Sequence, residues 1–150
     1  MTPVPSPETL VNRAALVVVA TAVDYWRLPA ANGTDGIVEF DITETLKGVR
    51  PSTLLRLAGT LTGRDDFNDR PAPYTFIRPE GRHGNCFATS YRKGGRFLLL
   101  LQPSTDARNT PSEPFRPNLT PFWEALAPTN EQVHGPDDSW IAWVRHQLAP

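Results

Sequence analysis

A histidine and a cysteine three residues apart are the residues in this sequence whose types could support catalysis. A cysteine thiol becomes a nucleophile when its pKa is lowered and a base lies within hydrogen-bond reach, and His83 precedes Cys86 in a glycine-containing turn. The same pair could begin a zinc site, but the other histidines, His134 and His146, lie far along the chain. Three interpretations of Cys86 stay open: a buried core thiol, half of a lost or intermolecular disulfide, and a nucleophile.

An acidic loop is the second candidate site. It contains Asp65, Asp66, Asn68 and Asp69, and calcium accepts carboxylate and amide oxygens as ligands. The spacing lacks the regular alternation and the terminal glutamate of an EF-hand loop, so a solvated turn is the competing interpretation. Because neither candidate completes a catalytic or metal-binding set, we expect a protein that is not an enzyme and has no catalytic residues, metal or cofactor.

The composition is that of an ordinary single domain. The chain has 150 residues, of which 39% are hydrophobic and 21% charged, with a formal net charge of −1. A chain of this length buries enough surface to fold without a disulfide or a metal. The 16 prolines count against a helical bundle, because proline removes a backbone N–H and interrupts helices.

Nucleic-acid binding is a further candidate function. Aromatic side chains on predicted strands could stack on bases, and several arginines lie near them in the sequence; these aromatic residues are Trp26, Tyr74, Phe76 and Tyr91. Aspartates are interleaved with the arginines, and the net charge is close to zero. We therefore expect no nucleic-acid partner.

The longest apolar run, residues 14–23, could be a signal-peptide core or a buried strand. Glu8 and several prolines precede it instead of a basic region, and its consecutive valines favour a strand. The run is also about half the length of a membrane span. The sequence therefore predicts a buried strand, no membrane span and no signal peptide within the chain.

Period-two patterns and turn residues predict five strands. They cover residues 16–28, 38–46, 53–59, 74–78 and 97–101. In the second strand the apolar side chains at Val38, Phe40, Ile42 and Leu46 are expected to share one face. The last strand is continuously apolar, which indicates burial on both faces.

A short helix is predicted at each end of the chain. Ser6, Pro7 and Glu8 have the order of an N-cap, a first-turn proline and an acidic first-turn residue, with Leu10, Val11 and Ala14 on the inner face. The second helix starts at Asp137 and Asp138 and carries an apolar stripe of Trp140, Ile141, Val144 and Leu148. The loss of Asp137 as a cap is expected to cost about 1 kcal/mol. Between the strands and this helix, a short helical turn is predicted over residues 122–126.

Several segments in family order resemble the netrin-like module family, to which the tissue inhibitors of metalloproteinases (TIMPs) belong. The matching segments are residues 14–23, residues 38–48, and Gly84-Asn85-Cys86 followed by residues 91–101. The resemblance covers about residues 8–102 and points to an uncharacterised bacterial branch. It implies a mainly β fold: a closed, five-stranded OB-like barrel, with the N-terminal and C-terminal helices packed on it.

The chain departs from the inhibitors of this family at the position that chelates the protease zinc. Those inhibitors use an N-terminal cysteine held by a disulfide, whereas Met1-Thr2-Pro3 stands there in this chain. Cys86 resembles the barrel half of that bridge. Either the bridge was lost or the sequence begins after an upstream cysteine removed with a leader, so inhibition by chelation is not supported.

Together these observations predict one domain over residues 1–150. It comprises a proline-rich segment (1–7), the barrel (8–102), a proline-rich wrap (103–136) and the C-terminal helix (137–149). We expect a non-enzymatic, extracytoplasmic module that binds an unidentified protein partner, with a lipid anchor upstream of the chain as an open alternative. The alternative function is a small ligand-binding protein or enzyme using His83, Cys86 and the acidic loop at Asp65, Asp66 and Asp69.

Overall fold

The computed structural model describes residues 3–31, 36–51, 54–84, 86–104 and 118–150. The elements, in chain order, are α1 (Pro7–Arg13), β1 (Leu16–Arg27), β2 (Gly36–Lys47), β3 (Leu55–Thr62), a 3-10 helix (Pro79–Arg82), β4 (Ser90–Arg92), β5 (Arg96–Pro103), β6 (Leu119–Thr120), β7 (Asn130–Val133) and α2 (Ser139–Leu148). The fold is mainly β, as predicted, but the sheet has seven described strands instead of five.

The strands form one sheet that is nearly closed into a barrel. The strand order is β4-β3-β2-β1-β5-β6, and β7 also pairs with β5. Neighbouring strands are antiparallel except for β3 and β4, which are parallel. The segment that follows β3 reaches β7, where Phe67 forms an isolated parallel bridge with Gln132. This segment therefore connects the β3 side of the sheet to the β7 side.

The sheet separates two apolar cores, and β1 and β5 contribute to both. The barrel core lies inside the curved sheet and includes Leu16, Val18, Ala20, Phe97, Leu99 and Leu101. The helix-side core lies on the outer face under the two helices and includes Val17, Val19, Leu98, Leu100, Leu10 and Trp140. Alternation along a strand sends successive side chains to opposite faces, so a strand covered on both faces must be apolar throughout. The buried strand predicted in residues 14–23 is thus confirmed from Leu16 to Ala22, whereas Ala15 and Val23 are exposed. The two-sided burial of residues 97–101 is confirmed.

The alternation along β2 is confirmed except at Leu46. Val38, Phe40 and Ile42 are buried in the barrel core. Leu46 packs instead against the helix-side core. The reason is a β-bulge before Leu46: Ala20 lies opposite Ile42 and Val19 lies opposite Glu44, which leaves Thr43 as an extra residue of β2. An extra residue reverses which face the following side chains point to.

Two other predicted elements are wrong. Residues 74–78 form no strand: the backbone N–H of Ile77 donates to the Leu126 carbonyl oxygen, and that of Arg78 to a carboxylate oxygen of Glu131. Residues 122–126 form bends and a turn rather than helix. The predicted wrap contains β6 and β7, while its residues 105–117 lie outside the described part of the chain.

The two helices match their sequence patterns closely. The Ser6 hydroxyl oxygen accepts a hydrogen bond from the Thr9 backbone N–H at 3.2 Å, which confirms the N-cap of α1. Leu10, Val11 and Ala14 are buried, as are Trp140, Ile141 and Val144 of α2. Leu148 of the predicted stripe packs at the edge of the helix-side core. Neither described helix is long and apolar enough to span a membrane.

The N-cap of α2 is Asp138, so the prediction that Asp137 supplies the cap is wrong. One carboxylate oxygen of Asp138 accepts from the Trp140 backbone N–H at 2.8 Å, and the other accepts from the His134 backbone N–H at 2.8 Å. Asp137 is exposed, one residue before the cap. The cap lies one residue later because the helix begins at Ser139.

Replacing Asp138 with alanine is expected to lower the free energy of unfolding by about 1–2 kcal/mol, because two backbone donors lose their acceptor. The matched control is Asp137→Ala, which should change it by less than about 0.5 kcal/mol. Urea denaturation followed by circular dichroism measures both. Equal losses in the two variants would show that the Asp138 cap does not stabilise α2.

Candidate functional site

The acidic loop carries three aspartates that each face an arginine. The pairs are Arg92–Asp65 at 2.7 Å, Arg78–Asp66 at 3.0 Å and Arg82–Asp69 at 2.7 Å. Each carboxylate thus has a guanidinium partner inside the chain. A calcium ion would have to compete with these guanidinium groups, and the arrangement instead joins the loop to β4 and to residues 78–82.

Hydrogen bonds to the charged form lower the pKa of two of these aspartates. For Asp65 the largest cause is the side-chain amide of Gln132, which donates at 3.0 Å, and Arg92 adds to the effect. For Asp69 it is Arg82, which donates to both carboxylate oxygens. A lowered pKa keeps a carboxyl group ionised and is unsuited to a general acid at neutral pH.

Arg78 is fully buried, although the sequence placed it at the end of a strand. Its Nη1 donates to Asp66, its Nε to the Asn130 carbonyl oxygen at 3.0 Å, and its Nη2 to the Ala88 carbonyl oxygen at 3.3 Å. Buried guanidinium groups are tolerated only when their donors are satisfied in this way. Arg78 thereby joins three separate parts of the chain at one point.

The Arg78 guanidinium also covers aromatic rings of the barrel core. Its central carbon lies 5.5 Å from the ring centroid of Tyr91 and 5.4 Å from that of Phe97, distances at which a cation is attracted to an aromatic ring. Tyr91 and Phe97 also meet Phe40 edge to face. Burial raises the pKa of Tyr91 to about 12, and its hydroxyl oxygen accepts a hydrogen bond from Asn130. Tyr91 is therefore a core residue and is not available to stack on a base.

Glu131 on β7 is a fully buried carboxylate that the sequence analysis missed. One oxygen accepts from the Asn68 side-chain amide at 2.5 Å and the other from the Arg78 backbone N–H at 3.1 Å. Burial raises the pKa of Glu131 from its usual 4.5 to about 7, since desolvation outweighs these hydrogen bonds and the nearby charge of Arg78. It is the most strongly perturbed carboxyl group among the described residues.

No local signal in the sequence distinguishes Glu131 from an exposed glutamate. It lies in a run of polar residues, Thr129, Asn130, Glu131 and Gln132, all of which are buried. Sequence patterns assign such runs to loops or solvated strands, because polar residues are mostly exposed. Residues from elsewhere in the chain, among them Asn68, Arg78 and Ala88, supply the hydrogen bonds that make their burial tolerable.

Among the described residues, no hydrogen bond joins the side chains of His83 and Cys86, the pair that the sequence predicted as a candidate site. His83 is exposed immediately after the 3-10 helix. Cys86 is a half-buried free thiol with a left-handed backbone, φ 68°, and its Sγ lies 4.0 Å from the Gly84 carbonyl oxygen. Elsewhere, His134 stacks on Phe67 with a centroid separation of 3.9 Å. Within the described ranges, no group of three or more histidine, cysteine, aspartate or glutamate residues is arranged to hold a metal ion.

The other aromatic candidates for base stacking also lie in contacts within the chain. Tyr74 is buried against Trp140, with a ring separation of 4.9 Å. Trp26 lies under the guanidinium of Arg56. The guanidinium of Arg82 covers Phe76, which places that ring beside the Arg82–Asp69 ion pair.

No protein-family model matches this chain, and no curated protein sequence matches it. The resemblance to netrin-like modules therefore stays a prediction based on the matching segments.

Proposed function

We propose that this chain is a non-enzymatic protein-binding module whose sheet is the OB-like barrel of netrin-like modules, acting outside the cytoplasm on a protein partner. The observation that carries the binding part of the proposal is the turn between β2 and β3. There the Val49 side chain is 94% exposed and Leu54 is 46% exposed, whereas both apolar cores are formed by other residues. Burial of an exposed apolar side chain is favourable, so a partner that covered Val49 and Leu54 would gain binding free energy.

The base of this turn is held in place by close packing. Gly48 has φ 85°, a conformation that glycine adopts readily, and a side chain there would collide with the Ala15 carbonyl oxygen. Lys47 donates from Nζ to the carbonyl oxygens of Val11 and Asn12 at the end of α1. A turn fixed at its base loses less conformational entropy on binding, which favours affinity.

Two further exposed apolar residues, Val23 and Leu28, provide a matched comparison. Leu28 follows the end of β1, and Val49 follows the end of β2. Since Arg27 lies opposite Ile37 and Val17 lies opposite Lys47, these two side chains lie at opposite ends of the β1–β2 ladder. A partner that binds at the β2–β3 turn should be indifferent to Leu28.

The alternative function, a ligand site or enzyme built on His83, Cys86 and the acidic loop, has less support. The carboxylates of Asp65, Asp66 and Asp69 are already hydrogen-bonded to arginines of the same chain. A ligand that used these carboxylates would compete with their arginine partners.

The Val49→Asp variant is expected to bind the partner at least about tenfold more weakly, because a charge is placed where an apolar side chain is buried. Immobilised wild-type, Val49→Asp and Leu28→Asp proteins would be compared for what each retains from an extract, with the affinity of each retained protein then measured after purification. Since Val49 is 94% exposed, the thermal midpoint of the variant should equal that of the wild type.

The expected result is a protein retained by the wild type and by Leu28→Asp but lost from Val49→Asp. If every retained protein binds the Val49→Asp variant as tightly as the wild type, the β2–β3 turn is not the binding surface.

A further inference from the structure

The contact between β7 and residues 65–80, which we call the seam, lies on the edge of β7 that faces away from β5. Along its other edge β7 forms a regular antiparallel ladder with β5. In the seam, the Phe67–Gln132 bridge is followed by side-chain hydrogen bonds, including one from the Asp66 backbone N–H to Gln132 Oε1 at 2.8 Å. The seam therefore depends on a few side chains of β7. Glu131 is the only residue of β7 with a carboxyl group.

Glu131 is held in the seam by two neutral donors. Its partners are the Asn68 side-chain amide and the Arg78 backbone N–H, and both belong to the segment that covers β7. The Arg78 guanidinium lies on other acceptors: Asp66, the Asn130 carbonyl oxygen and the Ala88 carbonyl oxygen. The carboxylate is thus buried with no direct ion pair to any described residue, an arrangement in which the charged form is strongly disfavoured.

The charges around Glu131 do not balance. In the covering segment, the negative charge of Asp66 opposes ionisation of Glu131, and the positive charge of Arg78 favours it. The charge of Glu131 in turn raises the pKa of Arg82 and of Tyr74. Glu80 adds a third carboxylate: its backbone N–H donates to Asp66, and its Oε2 is buried without a hydrogen-bond partner among the described residues. From β5, the residue opposite Glu131 is the apolar Leu98. On the side of α2, the charge of Asp138 raises the pKa of Tyr74.

We propose that Glu131 makes the seam pH-sensitive: ionisation of its carboxyl group favours separation of residues 65–80 from β7 while the rest of the sheet stays folded. Separation returns Glu131 to water and frees the Arg78 and Asp66 backbone N–H groups together. It also uncovers the edge of β7, a strand edge being the part of a sheet that can pair with another chain. The proposal concerns a conformational change and does not depend on the protein-binding function proposed above.

The direction of the effect follows from the two states of Glu131. In the closed seam its pKa is about 7, and in the open seam it returns toward its usual 4.5. Between these values the closed seam binds the proton more tightly than the open seam. Relative to the open form, the closed form is therefore most stable below pH 4.5 and loses stability as the pH rises from 4.5 to about 7. Above that range the effect levels off.

Amide hydrogen exchange of the wild-type chain at pH 5 and pH 8 tests the proposal. The reporters are the backbone N–H groups of Arg78 and Asp66. The reference is the backbone N–H of Ala15, which directly precedes β1 and donates to the carbonyl oxygen of Leu101 in β5. After correction for the intrinsic effect of pH on exchange, the opening constant of the seam should rise on the order of 50-fold between the two pH values. At both pH values the Arg78 and Asp66 amides should be less protected from exchange than the Ala15 amide, because they exchange by local opening.

Two independent measurements accompany the exchange experiment. The carboxyl carbon resonance of Glu131 should titrate near pH 7, well above an ordinary glutamate. The Glu131→Gln variant should lose the pH dependence of the Arg78 and Asp66 amides. If that variant does not fold, the wild-type titration and exchange decide the question.

Several results would overturn the proposal. One is a Glu131 carboxyl group that titrates near its usual value; another is protection of the Arg78 amide that does not fall between pH 5 and pH 8. Equal protection of Arg78 and Ala15 at both pH values would show that the seam opens only when the whole domain unfolds. PH dependence that persists in Glu131→Gln would assign the effect to a different group.

Discussion

Replacing Arg78 with methionine is expected to lower the free energy of unfolding by about 3–5 kcal/mol, which is the usual cost of removing one partner from a buried charge network. The side chain is fully buried, and its guanidinium donates to Asp66, the Asn130 carbonyl oxygen and the Ala88 carbonyl oxygen. Methionine fills similar space but donates no hydrogen bond. The variant therefore removes one donor each from a partly buried carboxylate and from two carbonyl oxygens.

The matched control is Arg82→Met. Arg82 pairs with Asp69, but the Asp69 side chain is 60% exposed, so water replaces much of the lost interaction. The loss in this variant should be much smaller. Urea denaturation at fixed pH, followed by tryptophan fluorescence and circular dichroism, measures both variants. A loss in Arg78→Met no larger than that in Arg82→Met would show that the buried guanidinium does not hold the sheet together.

Replacing Trp140 with alanine is expected to cost a similar amount, about 3–5 kcal/mol, because it leaves a large cavity in a packed core. Trp140 is fully buried in the helix-side core, where its ring stacks on Trp143 at 5.4 Å and lies 4.9 Å from the ring of Tyr74. This residue packs α2 against the outer face of the sheet. The variant should therefore lose helix content and barrel stability in the same transition.

Two companion variants separate the contributions of Trp140. Its indole N–H has no hydrogen-bond partner among the described residues, so Trp140→Phe should cost less than Trp140→Ala: it keeps an aromatic ring and removes an unpaired donor. Trp143→Ala should also cost less, because Trp143 is only half-buried at the edge of the same core. If all three variants lose the same stability, the cavity at Trp140 is not the cause. Thermal and urea denaturation of each variant give the comparison.

The elements that the sequence predicted correctly are those whose signals are local. The cap of α1 at Ser6 needs only its neighbours in the chain. The stripe of Trp140, Ile141 and Val144 needs only the helical period, and the burial of residues 97–101 on both faces needs only an apolar run. Each of these patterns specifies which face is buried without knowing what covers it.

The predictions that were wrong depend on pairing between distant residues. Leu46 faces the helix-side core because the register between β1 and β2 shifts, and a register shift is set by both strands together. Residues 74–78 have a strand-like sequence, yet their backbone donors are taken by Leu126 and Glu131. Propensity alone does not report such competition for hydrogen bonds.

The candidate site shows the same division. The sequence singled out Asp65, Asp66 and Asp69 because acidic residues gathered in one loop are visible in the printed chain. It missed the burial of Arg78, at the end of a predicted strand, and of Glu131, in a polar run, since charged residues are ordinarily solvated.

By itself, then, the sequence determined a mainly β fold with a helix at each end, and which faces of its long strands and helices are apolar. Only the tertiary structure decided how many strands pair, that the three aspartates are each neutralised by an arginine, and that a glutamate is buried beside β5. The physical reason is the range of the interactions. Periodic burial is written in adjacent residues, whereas the burial of a charge depends on hydrogen-bond partners that folding brings from more than fifty positions away, as it brings Arg78 to Glu131.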